Sequence, residues 1–193
     1  MKRMLVLVAS LPVLWASSAP ASVIVSLDSV TPEGGGIFEW IYRAALEPDQ
    51  TLRSGDFFTV YDVGNFLSAN FGATNPAQQS LFNVTQQPTG FDPPAGGPPE
   101  SNLPNFTVHY TGANIVPDPT TGEVTLGNLV IRSMVDQRTG SFFTAQTANS
   151  LTGEVVSNGG TVSVPVPEPS SIAMLIAGLV AVGGLAFRRK SLG

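Results

Sequence analysis

Residues 37–46, IFEWIYRAAL, put Phe38, Trp40 and Tyr42 on one side of an extended chain and Glu39, Ile41 and Arg43 on the other. That is a period of two, carried by aromatic and β-branched residues that favour a pleated surface. A helix of 3.6 residues per turn would scatter the same aromatics around its circumference. One face of this strand therefore meets a core, while the mixed opposite face meets water.

Residues 23–30 (VIVSLDSV) are β-branched and partly alternating, and Gly34-Gly35-Gly36 then breaks the chain. Ser54-Gly55-Asp56 reads as a turn, followed by a strand over residues 57–63. Further strands are expected at 106–110, at 123–135 after a turn over 119–122, at 141–148 and at 160–166. Residues 44–50 or 77–82 leave room for one short helix, but repeated amphipathic helices, which a parallel α/β fold requires, are missing. Residues 86–104 are dense in Pro and Gly; proline fixes φ and removes a donor, so they form a surface loop or linker and not a central strand. Short strands punctuated by Gly, Pro, Asn and Asp predict an all-β fold, an antiparallel β-sandwich of jelly-roll-like type, as a single domain over 22–165.

The 193-residue chain contains no cysteine, so such a domain is stabilised by packing and not by disulfides, and thiolate metal sites and cysteine nucleophiles are excluded. Met1-Lys2-Arg3, an apolar run over 4–16 and Ser17-Ser18-Ala19-Pro20-Ala21 follow the order of a secretory signal peptide. Ala19 and Ala21 supply the small-residue cleavage pattern, which places the cut after Ala21 and the signal peptide at 1–21. The run is short for an uncleaved membrane anchor, the competing reading. Between Ser22 and Phe187 only Arg43, Arg53, Arg132 and Arg138 oppose all fourteen Asp and Glu, a net formal charge of −10. No basic groove for phosphates exists in such a region, which argues against nucleic-acid binding.

Residues 172–187, IAMLIAGLVAVGGLAF, form sixteen residues without a charge, followed by Arg188-Arg189-Lys190. As a helix the run is about 24 Å long, against a hydrocarbon core of about 30 Å; Ser171 extends it and a snorkelling Arg188 closes the gap. A transmembrane helix over 171–187 is expected, its basic tail 188–190 held on the cytoplasmic side. A packed terminal helix would show a polar face, and this segment has none. A plain anchor accounts for the apolar run and the charges but not for Pro167-Glu168-Pro169 just ahead of them, where two prolines enforce an extended, unpaired backbone.

The order of that tripeptide, an apolar helix and a terminal basic cluster, in a chain with a signal peptide, resembles the PEP-CTERM sorting signal, here over 166–193. The resemblance implies recognition at Pro167, Glu168 and Pro169 by an exosortase, an integral membrane transpeptidase-like enzyme of Gram-negative bacteria that make exopolysaccharide. It implies transient anchoring in the inner membrane with the body outside the cytoplasm, then release or transfer to the cell surface or extracellular matrix. Residues 38–63, with their GDFFTVYD core, resemble the body of many proteins carrying such tails, a likeness that assigns no activity.

The body offers little chemistry of its own. His109 is the only histidine, too few for a zinc site; a Ser-His-Asp relay would depend on it, and an ordinary strand position facing solvent or a partner is the simpler reading. Asp56 and Asp62 flank FFTVY at an even separation, about 20 Å apart along an extended chain, too far for a glycosidase pair; turn and edge solvation is expected of them. Asp118 and Glu123 bracket a turn that could hold calcium, but the EF-hand pattern is missing. Trp40 and Tyr42 could stack on a sugar, though aromatics at period two usually form core. Asn83 and Asn105 begin N-x-[ST] patterns in regions expected to be exposed.

No catalytic residue, metal site or cofactor is therefore expected. The sequence reads as an exported, non-enzymatic protein with a structural or adhesive role. Its partners are signal peptidase and the secretion machinery, the exosortase, the inner membrane transiently, exopolysaccharide, and no nucleic acid. A carbohydrate- or calcium-binding module, a secreted hydrolase with an acid-only site, and a permanently anchored surface protein are the alternatives.

Overall fold

The computed structural model describes residues 22–87, 103–118 and 120–166. The expected signal peptide with Ala19 and Ala21, the sorting tripeptide Pro167, Glu168 and Pro169, the expected transmembrane helix over 171–187 and Arg188, Arg189 and Lys190 lie outside these residues. Among the described residues no helix is long and apolar enough to cross a membrane.

Ten strands follow in order: β1 Val23–Gly34, β2 Ile37–Leu46, β3 Gln50–Thr51, β4 Phe57–Val60, β5 Phe66–Ala73, β6 Phe82–Gln87, β7 Asn105–Tyr110, β8 Val124–Ser133, β9 Arg138–Asn149 and β10 Val155–Pro165. One sheet has the order β1-β2-β8-β5 and the other β10-β9-β4-β7-β6, with β3 paired to β9, and every pairing is antiparallel. The expected all-β antiparallel class holds.

The β1–β2 connection shows why glycine is required there: Gly34, Gly35 and Gly36 all have positive φ (96°, 63° and 78°), a region that a Cβ disfavours. In β2, Trp40 and Tyr42 are fully buried while Glu39, Ile41 and Arg43 are half-buried, as the alternation requires. Opposite the end of β2 the partner strand β8 carries a bulge, Leu126 lying unpaired between Gly127, which faces Ala44, and Thr125, which faces Ala45; Ala44, Ala45 and Leu46 are all buried there.

The apolar faces of the two sheets share one core, from Val23 and Trp40 on one side to Val108 and Val164 on the other. Aromatic pairs cross between them: Phe66 meets Phe106 at 5.0 Å between centroids, and Phe71 meets Phe82 at 4.7 Å and Phe58 at 5.9 Å. Trp40 reaches through this core to donate its indole N–H to the Val135 carbonyl at 3.0 Å.

Several expectations change. The strand foreseen over 57–63 stops at Val60, because Asp62 adopts φ 61° and turns the chain. Residues 44–50 are not helical; the helical turn is a 3₁₀ segment, Pro76–Leu81, with Asn75 as N-cap accepting from the Ala77 N–H. Gln86 and Gln87 belong to β6, not to the expected loop. Strands β3, β5 and β6 have no counterpart in the sequence reading.

Candidate sorting junction

In the chain the sorting tripeptide follows immediately on Pro165 and Val166, which are held to the body. In β10, Ser163 pairs with Gly140, Val164 with Thr139 and Pro165 with Arg138, and Val164 is fully buried. The Pro165 carbonyl accepts from the Gly64 N–H at 2.6 Å, and the Val166 N–H donates to the Gln137 carbonyl at 3.4 Å. The Val166 side chain packs against the core. Pro167 is thus the next residue after one held by both backbone and side chain.

The segments that hold this end are themselves cross-braced. Ser133, fully buried, donates to the Gly64 carbonyl at 2.9 Å, and its Oγ accepts from the Val135 N–H at 3.2 Å. The Met134 N–H donates to the Asn65 carbonyl at 3.1 Å. Asp62 accepts from the Ser141 hydroxyl at 2.9 Å, and its N–H donates to Asn105 Oδ1 at 3.0 Å. Sequence reasoning missed Gly64, Ser133 and Gln137, since none carries a periodic or motif signal. The positive φ values of Asp62 and Asn65 belong to residue types that tolerate the left-handed region, the one cue available.

The opposite end of the body holds the N-terminal side. Ser22, the residue after the expected cleavage, is fully buried, and its carbonyl accepts from the Glu47 N–H at 3.2 Å. The Thr147 hydroxyl lies 2.7 Å from Ser22 Oγ and 2.9 Å from Gln50 Oε1.

The remaining candidates are not drawn into one constellation. His109 stacks at 5.9 Å on Phe57, and its cross-strand neighbours are Phe57 and Asn83, so no acid sits in its ladder to form a relay. With Gln87, Thr59 and Thr107 the pair lines a hollow of about 110 Å³ on the outer face of the larger sheet. Its floor is closed by a 2.8 Å hydrogen bond between the Thr59 and Thr107 hydroxyls.

Asp56 is buried, not solvated as expected; its carboxylate accepts from the Arg53 N–H at 2.7 Å and pairs with the Arg53 guanidinium at 3.7 Å. Burial raises its pKa, against the lowering effect of those Arg53 contacts and of Gln146. Asp118 accepts from the Thr120 N–H and hydroxyl, which hold its carboxyl below the ordinary value, whereas Glu123 pairs with Arg43. The two acids are therefore engaged separately. Among the described residues no group of three His, Asp or Glu could hold a metal ion. Trp40 and Tyr42 are core, beyond reach of a sugar. Asn105 is buried, against the expectation of exposure, because it caps the turn at Asp62, while Asn83 is exposed.

The family model described as the PEP-CTERM protein-sorting motif matches residues 165–190. It begins on the final residue of β10 and takes in Pro167, Glu168, Pro169, Arg188, Arg189 and Lys190. No curated protein matches the chain. The match supports exosortase-dependent sorting of a surface or secreted protein.

Proposed function

We propose that this PEP-CTERM tail delivers an exported body to the cell surface or extracellular matrix, where it serves a non-enzymatic structural or adhesive role. Signal peptidase cuts after Ala21, the apolar helix holds the chain transiently in the inner membrane, and the exosortase acts at Pro167-Glu168-Pro169. The body is a β-sandwich, its two antiparallel sheets stacked through the crossing aromatic pairs. The observation that carries this reading is the family match over 165–190, starting where the last strand ends.

Replacing Pro167, Glu168 and Pro169 with alanines tests it in the native host. The expected result is a chain that keeps its C-terminal tail and accumulates in the membrane fraction. An unchanged distribution between membrane and medium would count against recognition at the tripeptide, and parent and variant both confined to the membrane would favour a permanent anchor.

A second reading, a carbohydrate-binding body, is favoured by the hollow beside Phe57 and His109, where two rings and the Gln87 amide line the wall above the paired Thr59 and Thr107 hydroxyls. Binding to a glycan array that is lost in the Phe57→Ala variant would support it. Absence of binding across the array would remove it.

A further inference from the structure

The tail constrains which way the body faces. This step rests on the reading above, that residues 172–187 enter the bilayer. Val166 is fixed to the body by its backbone bond to Gln137 and its packing on the core. From Val166 to Ile172 there are six peptide steps, which cannot exceed about 22 Å even fully extended. The headgroup layer takes up about 5–8 Å of that reach. The junction end of the body is therefore tethered within roughly 15 Å of the membrane surface.

β10 has eleven residues and spans about 36 Å, so the far end of the body stands well beyond that tether. The far end contains the β9–β10 turn, with Leu151 91 % exposed, and the N-terminal Ser22. The near end contains Asn65, Leu67 and Met134 beside the junction: Pro165 is bonded to Gly64, and Asn65 to Met134. Leu67 and Met134 are 47 % and 60 % exposed.

Both ends carry acids: Glu47, Asp49, Asp118 and Glu154 lie at the far end, where Arg53 is engaged by Asp56, and at the near end Glu33 is paired with Arg132 at 2.8 Å while Asp136, beside Gln137, is exposed. The tether, and not charge, therefore sets which end meets the bilayer.

We infer that the near pole, formed around Asn65, Leu67, Met134, Gln137 and Val166, is a membrane-facing surface while the tail is inserted, with Leu67 and Met134 presented to the headgroup layer. The body stands on the bilayer by this pole, and the processing enzyme reaches Pro167 from the same side.

The cysteine-free sequence makes a direct test simple. Full-length Met134→Cys and Leu151→Cys variants are each labelled with a fluorophore and reconstituted in phosphatidylcholine–phosphatidylglycerol vesicles containing headgroup-nitroxide lipid. Far-ultraviolet circular dichroism checks that each variant keeps its β-sheet fold. Quenching is expected to be several-fold stronger at Met134 than at Leu151. Inserting about twenty Gly/Ser residues between Val166 and Pro167, an r.m.s. reach of about 25 Å, is expected to erase most of that difference. Equal quenching at both positions in protein that floats with the vesicles would overturn the orientation while leaving the anchor intact. Protein that fails to float would overturn the membrane reading of the tail and the orientation with it.

Discussion

Tyr42 illustrates how far a single side chain departs from what its neighbours imply. Its ring belongs in the core, stacked 6.5 Å from Trp40, but its hydroxyl is buried with no hydrogen-bond partner among the described residues. Burial pushes the phenol far above its ordinary range, so it stays protonated. Tyr42→Phe keeps the ring and removes the orphaned group, and should raise unfolding stability by about 1 kcal/mol in urea titration. A loss of stability would mean that the hydroxyl is satisfied in solution. Asp56 behaves in the opposite direction to a salt-bridged surface acid. Because burial outweighs the contacts that lower its pKa, the folded protein binds its proton more tightly than the unfolded chain does. Its contribution to stability is present below the ordinary carboxylate range and is lost as pH rises through the raised folded value. Asp56→Asn keeps an oxygen for the Arg53 N–H, so its melting temperature should gain on the parent's as pH rises above about 4. A difference that stays constant from pH 3 to 7 would contradict this. Neither property was legible in the sequence, where Asp56 sits in a Ser-Gly-Asp turn and reads as solvated.

At the level of elements, legibility followed regularity. β2 was readable because one face is core and the other half-wet as far as Ala44, after which Ala45 and Leu46 are both buried opposite the Leu126 bulge of β8. β5 was not, because a bulge leaves Leu67 outside the ladder while Phe66 faces Ser133 and Ser68 faces Arg132. One extra residue breaks the period of two on which the reading depends. β4 was over-extended because Tyr61 and Val63 are buried like strand residues, although the left-handed Asp62 between them ends the strand. The β5–β8 pair also explains a glycine that no turn requires: a Cβ on Gly127 would lie 2.2 Å from the Gly72 carbonyl oxygen and 2.7 Å from the Phe71 ring. Gly127→Ala should therefore force the edge strand β5 away and cost about 3 kcal/mol, read as a lower urea midpoint. A midpoint equal to the parent's would show that β5 yields without loss.

For the whole molecule, the C-terminal sorting motif was legible in local sequence, where the family model matches residues 165–190, while its relation to the body was not. Apolar runs, flanking charges and Pro167-Glu168-Pro169 all lie in local sequence. That Val166 is pinned at one end and Ser22 buried at the other depends on strand order and on Ser133, Gly64, Gln137 and Thr147, which carry no pattern. Intact mass of the protein recovered from the native host, with membrane and medium analysed separately, decides between a removable tail and a lasting anchor. We expect a mature species that begins at Ser22 and lacks residues 172–193, with any added mass reporting what was attached at the cut. A single species retaining the entire tail, confined to the membrane fraction, would contradict tail processing and make the protein a single-pass anchored surface protein.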